Sequence, residues 1–504
     1  MAKHAGSVFS VDVTGLDRDA GQPAYARIGE RIRTAILSGA LAPNARLPSG
    51  RTLARDLGVA RNTVDWALDQ LVADGYVVRR RGAGSYVAAQ LPERDAPPRQ
   101  PEREGRAVAD TAPRRLSRRA AALRAYPGHY QPAASVPFAP SLPPTDLFPR
   151  ELWNRLLQRE AARPGDECWH YGASNGLPAL RRAIAAHASA MRAVRCSPEQ
   201  VIVVTSTQQA VELAAKVLAD PGERAWCELP GYPPVRHGLR SAGLEVVDVA
   251  VDDDGLDVAA GIAAAPDARL AYVTPAHQYP LGVELSLPRR RALLDWAHER
   301  DAYVLEDDYD GDYRYQGRPI ASLQGMDERG RAIYIGSFNK ILFPALRIAY
   351  AIVPEPLVDA FVDAKHIADG HTALLMQAAL AAFVEEGHLA AHLRKTRAAY
   401  DRRRLAFLDE ARALQPWLRF GPALAGMHVA ARFTDAAAAL DDRAVAAACV
   451  AAGTLVHPLS KYGECGRGGL VFGFAGGERA QARRGLETVA RALESVRSAP
   501  PGIA

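Results

Sequence analysis

The sequence predicts an α/β protein in three parts: a winged helix-turn-helix over residues 21–90, a tether over 91–133, and a large domain over 134–504 with a mostly parallel central sheet. Three observations carry this. Two short helical patterns flank a glycine at 58 and are followed by two short strands around a glycine turn. From about Val136 onward, strand-like apolar runs alternate with helical ones, the rhythm of βαβ units. Between the two, the chain is rich in Pro, Arg and Ala and holds no sustained apolar period.

In the first part, Tyr25, Ile28, Ile32, Ala35 and Ile36 fall at helical spacing, and Gly39 and Pro43 end that helix. Ser49 is placed to cap a short helix over 50–57. Gly58 permits a tight turn, and a third helix runs to about Asp74. That third helix presents Arg61, Asn62 and Thr63 at its start, where a recognition helix meets bases and phosphates. Arg79, Arg80 and Arg81 stand beside the hairpin turn, placed to touch a phosphate backbone. The plain alternative is a small helical domain with a basic hairpin. Residues 47–64, Leu-Pro-Ser-Gly-Arg-Thr-Leu-Ala-Arg-Asp-Leu-Gly-Val-Ala-Arg-Asn-Thr-Val, with Gly-Ala-Gly-Ser-Tyr-Val at 82–87, resemble the core and wing of the GntR-type winged helix. The resemblance adds Ser49 and Arg51 to the expected double-stranded DNA contacts. Gly50 and Asn44 depart from it, standing where a serine and a turn glycine are usual.

Charge agrees with this division. Residues 1–90 carry 12 basic and 8 acidic side chains, 91–130 carry 9 and 5, and the remainder 41 and 44. The positive excess is confined to the part that would meet nucleic acid. The tether's arginines either add nonspecific DNA affinity or decorate a solvated spacer. No apolar run approaches a membrane span and the N-terminus lacks a signal-peptide core, so a cytoplasmic protein is expected. Five scattered cysteines without a C-x-x-C spacing speak for reduced thiols and against a disulfide frame or a metal site.

In the large domain, strands are expected at Val201–Thr205, Ala225–Leu229, Leu270–Thr274, Tyr303–Glu306 and Ala332–Ile335. Ligands of such sheets bind beyond the strands' carboxyl ends, and polar motifs collect there. Ser206 and Thr207 open a helix whose first N–H groups suit a phosphate. Tyr232 offers a flat plate, or is a turn tyrosine. His277 and Tyr279, on a polar turn, are candidate cofactor contacts, although a lone histidine there is more often a satisfied loop residue. Asp307 and Tyr309 end an apolar strand. An Asp facing a pyridine nitrogen keeps it protonated. Lys340 is one of six lysines among 56 arginines; an amine that must condense with an aldehyde cannot be replaced by guanidinium. Ser337 and Arg347 flank it as phosphate donors. Alone, that stretch reads equally well as a buried strand with one snorkelling lysine; its partners decide.

In this order, the motifs resemble the MocR subfamily of GntR regulators, a winged helix joined to a domain like a fold-type-I aminotransferase that binds pyridoxal 5′-phosphate (PLP). The resemblance implies Lys340 as the Schiff-base lysine, Asp307 on the pyridine nitrogen, Tyr309 near the ring oxygen and Tyr232 stacked on the ring. Ser206, Thr207, Ser337 and Arg347 would serve the phosphate, with Tyr171 reaching the neighbouring subunit's phosphate in a head-to-tail homodimer. It frays at Val471, which stands where an arginine usually holds the substrate carboxylate. Arg467 and Arg236 are the candidate substitutes. The missing anchor speaks against efficient transamination and favours PLP itself as the effector, as in the PdxR-like branch that controls vitamin B6 synthesis, over sensing of a free α-amino acid. PLP with a condensed amino compound, and a working aminotransferase carrying a DNA-binding arm, are the alternatives.

Overall fold

The structure is a computed structural model that describes residues 23–80, 82–92, 116–124, 138–140, 142–163, 165, 167–317, 321–464 and 466–498. Arg81 of the expected wing and most of the tether lie outside these. Two compact units divide at Arg114 and Arg115.

In the first unit, α1 (Ala24–Leu37), α2 (Gly50–Asp56) and α3 (Arg61–Ala73) precede the hairpin of β1 (Val77–Arg80) and β2 (Gly84–Val87). Ile28, Ile32 and Ile36, one stripe of α1, bury against Leu53, Val64, Leu68 and Leu71. The Ser49 hydroxyl caps α2 by accepting the Thr52 N–H at 3.1 Å. Gly58 turns between α2 and α3 with φ +64°, and Asn44 adopts φ 64°. Asparagine tolerates that left-handed conformation better than most residues, which accounts for its replacing a turn glycine.

The second unit holds an eight-stranded sheet. Its strands are β3 (Val201–Val204), β4 (Arg224–Leu229), β5 (Glu245–Asp252), β6 (Gly255–Leu256), β7 (Leu270–Val273), β8 (Tyr303–Asp308), β9 (Ala332–Ser337) and β10 (Ala349–Ile352), in spatial order β3-β10-β9-β8-β7-β4-β5-β6. All five expected strands are present. β5, β4, β7, β8 and β9 run parallel, while β10 is antiparallel to β9 and β3. Helices cover both faces, so β3 and β7 are buried along their whole length and read as unbroken apolar runs. A smaller antiparallel sheet of β11 (Leu418–Phe420), β12 (His428–Phe433), β13 (His457–Pro458) and β14 (Gly469–Gly473) packs a core of Phe407, Val429, Phe472 and Val489.

Residues 118–124 differ from the extended tether expected there. They form a helix, Arg118–Arg124, that packs on the Pro233–Ala242 helix. Ala, Leu and Arg are strong helix formers, and the Ser117 hydroxyl caps the first turn by accepting the Ala120 N–H at 3.1 Å.

Gly336 sits opposite Tyr350 in the β9–β10 ladder, and a Cβ there would fall 2.3 Å from the tyrosine ring. Gly336→Ala is therefore expected to destabilise the large domain by about 2 kcal/mol through overpacking. Thermal unfolding should show it as a midpoint several degrees lower.

Candidate functional site

Register alone gathers the expected phosphate residues. Ser337 of β9 pairs with Ala349 of β10, which pairs with Val204 of β3. The loops leaving β3 and β9 and the loop entering β10 therefore meet at one end of the sheet. Asn339 ties them together: its side chain donates to the Thr205 carbonyl at 3.1 Å and accepts the Ile348 N–H at 2.9 Å. Ser206 caps the Thr207–Leu218 helix, accepting the Gln209 N–H, and Ser337 accepts the Asn339 N–H. Each hydroxyl accepts from the backbone and keeps its O–H free to donate outward. Arg347 follows a single 3₁₀ turn with φ 55°; its exposed side chain forms no ion pair with another described residue.

Lys340 leaves the same loop half-buried. Burial pulls its amine pKa down and Arg347 adds to this, while Asp310 and Asp307 pull it up. Asp307, buried at the end of β8, has its carboxyl pKa pushed up to about 7 by loss of water. Its oxygens accept the Tyr272 hydroxyl at 2.6 Å and the Thr207 hydroxyl at 3.2 Å. Thr207 thus turns its side chain to Asp307, while the Ser206 hydroxyl stays at the helix start.

Beside Asp307, the Tyr309 hydroxyl donates to the His277 carbonyl at 3.0 Å and lies 3.1 Å from His277 Nδ1. His277 sits behind Tyr309, bonded to Asp310 at 3.1 Å, and does not itself line an open space. Tyr279 stands edge-on to Tyr309 and Tyr232, at ring separations of 5.7 and 5.8 Å, and its hydroxyl meets that of Tyr462 at 3.0 Å. Gln208 donates to the Tyr232 hydroxyl at 3.3 Å, bringing this plate over the helix start. Val471 is fully buried in the same cluster, with Tyr279, Tyr309 and Tyr462. Both candidate substitutes for the missing cation have acidic partners of their own. Arg236 pairs with Asp248 and donates to the Glu228 carbonyl, and Arg467 pairs with Asp435. Tyr171 is 98% exposed, its ring edge-on to His371 at 5.9 Å.

In the first unit, Ser49, Arg51, Arg61, Asn62, Arg79 and Arg80 are exposed and Thr63 is half-buried at the start of α3. Two of the arginines are paired with acids of α3: Arg61 with Asp65 at 3.4 Å and Arg79 with Asp69 at 2.8 Å. Arg80 lies over the Tyr86 ring and donates to Asn44. Phosphate oxygens would compete with Asp69 for Arg79. Asp69→Asn is expected to tighten binding to duplex DNA by a few-fold at low ionic strength, an advantage that shrinks as salt screens it, by fluorescence anisotropy.

Residues 147–489 match the family model of aminotransferases of class I and II, and residues 24–87 that of bacterial regulatory proteins of the gntR family. The chain is 38% identical over 486 residues to the probable rhizopine catabolism regulatory protein MocR of Rhizobium meliloti, covering 96% of each chain. This chain belongs to the MocR subfamily of GntR regulators. It is also 30% identical to the pyridoxine biosynthesis transcriptional regulator PdxR of Corynebacterium glutamicum, over 89% of this chain and 91% of that one. Its fold is that of a crystallised archaeal alanine:glyoxylate aminotransferase, with a TM-score of 0.67 at 24% identity over 72% of this chain and 92% of that chain. In this MocR-type chain, sequence reasoning missed three polar side chains at the sheet end: Tyr272, Asn339 and Asp310. Tyr272 was hidden in the apolar run Leu-Ala-Tyr-Val. Asp310 belonged to an acidic run whose members look alike until the strand is folded. Among the described residues, no helix is long and apolar enough to cross a membrane.

Proposed function

We propose that this chain is a cytoplasmic transcriptional regulator that binds PLP at Lys340 and whose affinity for operator DNA responds to it. The observation that carries the reading is the donor set at the sheet end. A half-buried amine, a buried carboxyl, two hydroxyls with free O–H groups and an exposed unpaired arginine are what an aldehyde, a pyridine nitrogen and a phosphate each require. Ser206, Ser337, Arg347 and the first N–H groups of the Thr207–Leu218 helix would hold the phosphate. Asp307 would hold a proton on the ring nitrogen, with Tyr272 and Thr207 fixing its carboxylate. Tyr232 would cover one face of the ring, and Tyr309 would donate to its oxygen. When bound, PLP supplies an aldehyde that condenses with amines and a ring that withdraws electrons from them.

The apolar surroundings of Val471 support a sensor over an efficient aminotransferase, because a carboxylate carried there would be buried without a cation. Tyr171, exposed on its own chain, would serve the partner's phosphate in a head-to-tail dimer. PLP shifts DNA affinity only as far as it binds one arrangement of the dimer more tightly than another. Anisotropy with duplexes from the upstream intergenic region, with and without PLP, tests the reading. A PLP-dependent change in affinity is expected; equal affinity at saturating PLP refutes the sensor.

A further inference from the structure

His277 and Asp310 occupy a position that the binding set above leaves without a task. Asp310 is 1% exposed, and both its oxygens lie within reach of His277 Nδ1, at 3.1 and 3.3 Å. His277 is 2% exposed, and its Nε2 is buried with no hydrogen-bond partner. The tautomer that suits this network carries its proton on Nδ1, since a proton on Nε2 would have no acceptor. The imidazole is therefore fixed by Asp310 with its N–H turned toward both the carboxylate and the Tyr309 hydroxyl. Tyr309 gives its own proton to the His277 carbonyl at 3.0 Å. An oxygen arriving on the far side of Tyr309 would take that proton, and the phenol oxygen would then accept from Nδ1. The move exchanges the contact with the His277 carbonyl for one with the arriving oxygen, and the imidazole N–H, shared with Asp310, is already 3.1 Å from the phenol oxygen. The glycine at 426 makes this close approach possible: a Cβ there would lie 2.1 Å from the imidazole and 2.5 Å from the Asp310 carboxylate.

We propose that Asp310 and His277 are positioning residues that aim the Tyr309 hydroxyl at the cofactor's ring oxygen. This rests on the PLP reading. The other groups facing this corner are Asp307, Lys340, Tyr279 and His428, whose ring centroid is 4.8 Å from that of His277; Arg347 and Glu228 act from further along the sheet end. The test is a pH titration of the visible absorption band of the PLP-loaded full-length dimer. Tyr309→Phe removes the donor to the ring oxygen and should move the midpoint upward. His277→Leu and Asp310→Asn should move it in the same direction by about half a unit, the size expected when a hydrogen bond is weakened and not removed. Neither should add to the shift of Tyr309→Phe when combined with it, and His277→Asn, which keeps a donor, should restore most of the wild-type midpoint. Shifts that persist in the Tyr309→Phe background, or an Asp310→Asn shift of opposite sign, would overturn the proposal in favour of a direct charge effect on Lys340. Unchanged midpoints in folded variants, checked by circular dichroism, would overturn it outright. A wild-type protein without a band would take the PLP reading down with it, whereas an intact wild-type band with unmoved variants removes only the positioning role.

Discussion

Lys340→Ala is expected to abolish the visible absorption band that develops when PLP is added to the purified protein, and to abolish any effect of PLP on DNA binding. The loss should be complete, because Lys340 is the amine that stands beside Asp307, Asp310 and Arg347. Among the other described lysines, Lys365 is buried against Asp369 and Lys216 pairs with Glu212 on a helix surface. Burial and Arg347 favour the neutral, nucleophilic amine, while Asp310 and Asp307 oppose them. Arginine in its place would fill the space and keep the charge but could not condense, so Lys340→Arg should fail to form the band as well. A band of wild-type intensity in Lys340→Ala would place the reactive amine elsewhere. Phosphate contacts from Arg347 and the helix start predict that Lys340→Ala still binds PLP weakly, visible in calorimetry as a lower-affinity, less exothermic interaction.

The fold was legible because its signals are local. The strands β3, β4, β7, β8 and β9 are short apolar runs, and the helix-turn-helix is spelled out by Ser49, Gly58 and the isoleucine stripe of α1. The sheet-end residues were legible for the same reason, since each follows a strand directly: Ser206 after β3, Asp307 in the last positions of β8, Lys340 after β9. What the sequence did not disclose is how polar side chains pair across loops distant in the chain. Thr207 and Asp307 are a hundred residues apart, and only folding shows that the threonine hydroxyl turns to the carboxylate. Likewise, nothing in the acidic run 306–310 says that Glu306 accepts the N–H groups of Leu323 and Gln324, that Asp308 pairs with Arg192, and that Asp310 takes His277. The helix Arg118–Arg124 escaped because a single turn or two of Ala, Leu and Arg shows no period beside its proline-rich flanks.

The second large effect is expected at the start of α3. Arg61→Ala should weaken binding to the cognate duplex by roughly ten- to a hundred-fold, the range for a base-reading arginine, and should flatten the dependence on salt. The free protein shows why the loss should lie toward the larger end. Arg61 is paired at 3.4 Å with Asp65, one turn along the same helix, and Asp65 is only half-exposed. Its carboxylate lies in the room that Gly50 leaves at the α2–α3 contact, 2.7 Å from where a Cβ on residue 50 would stand. Deleting the arginine therefore removes one cation and uncovers an anion on the surface that must approach phosphates. That second term is separable. In Arg61→Ala/Asp65→Asn the anion is gone, and part of the affinity should return while any base preference carried by Arg61 stays lost. Anisotropy against a cognate and a scrambled duplex over a salt series distinguishes the two contributions. If the single and double variants bind alike, Asp65 does not face the DNA; if Arg61→Ala binds both duplexes as the wild type does, α3 is not the element that reads the operator.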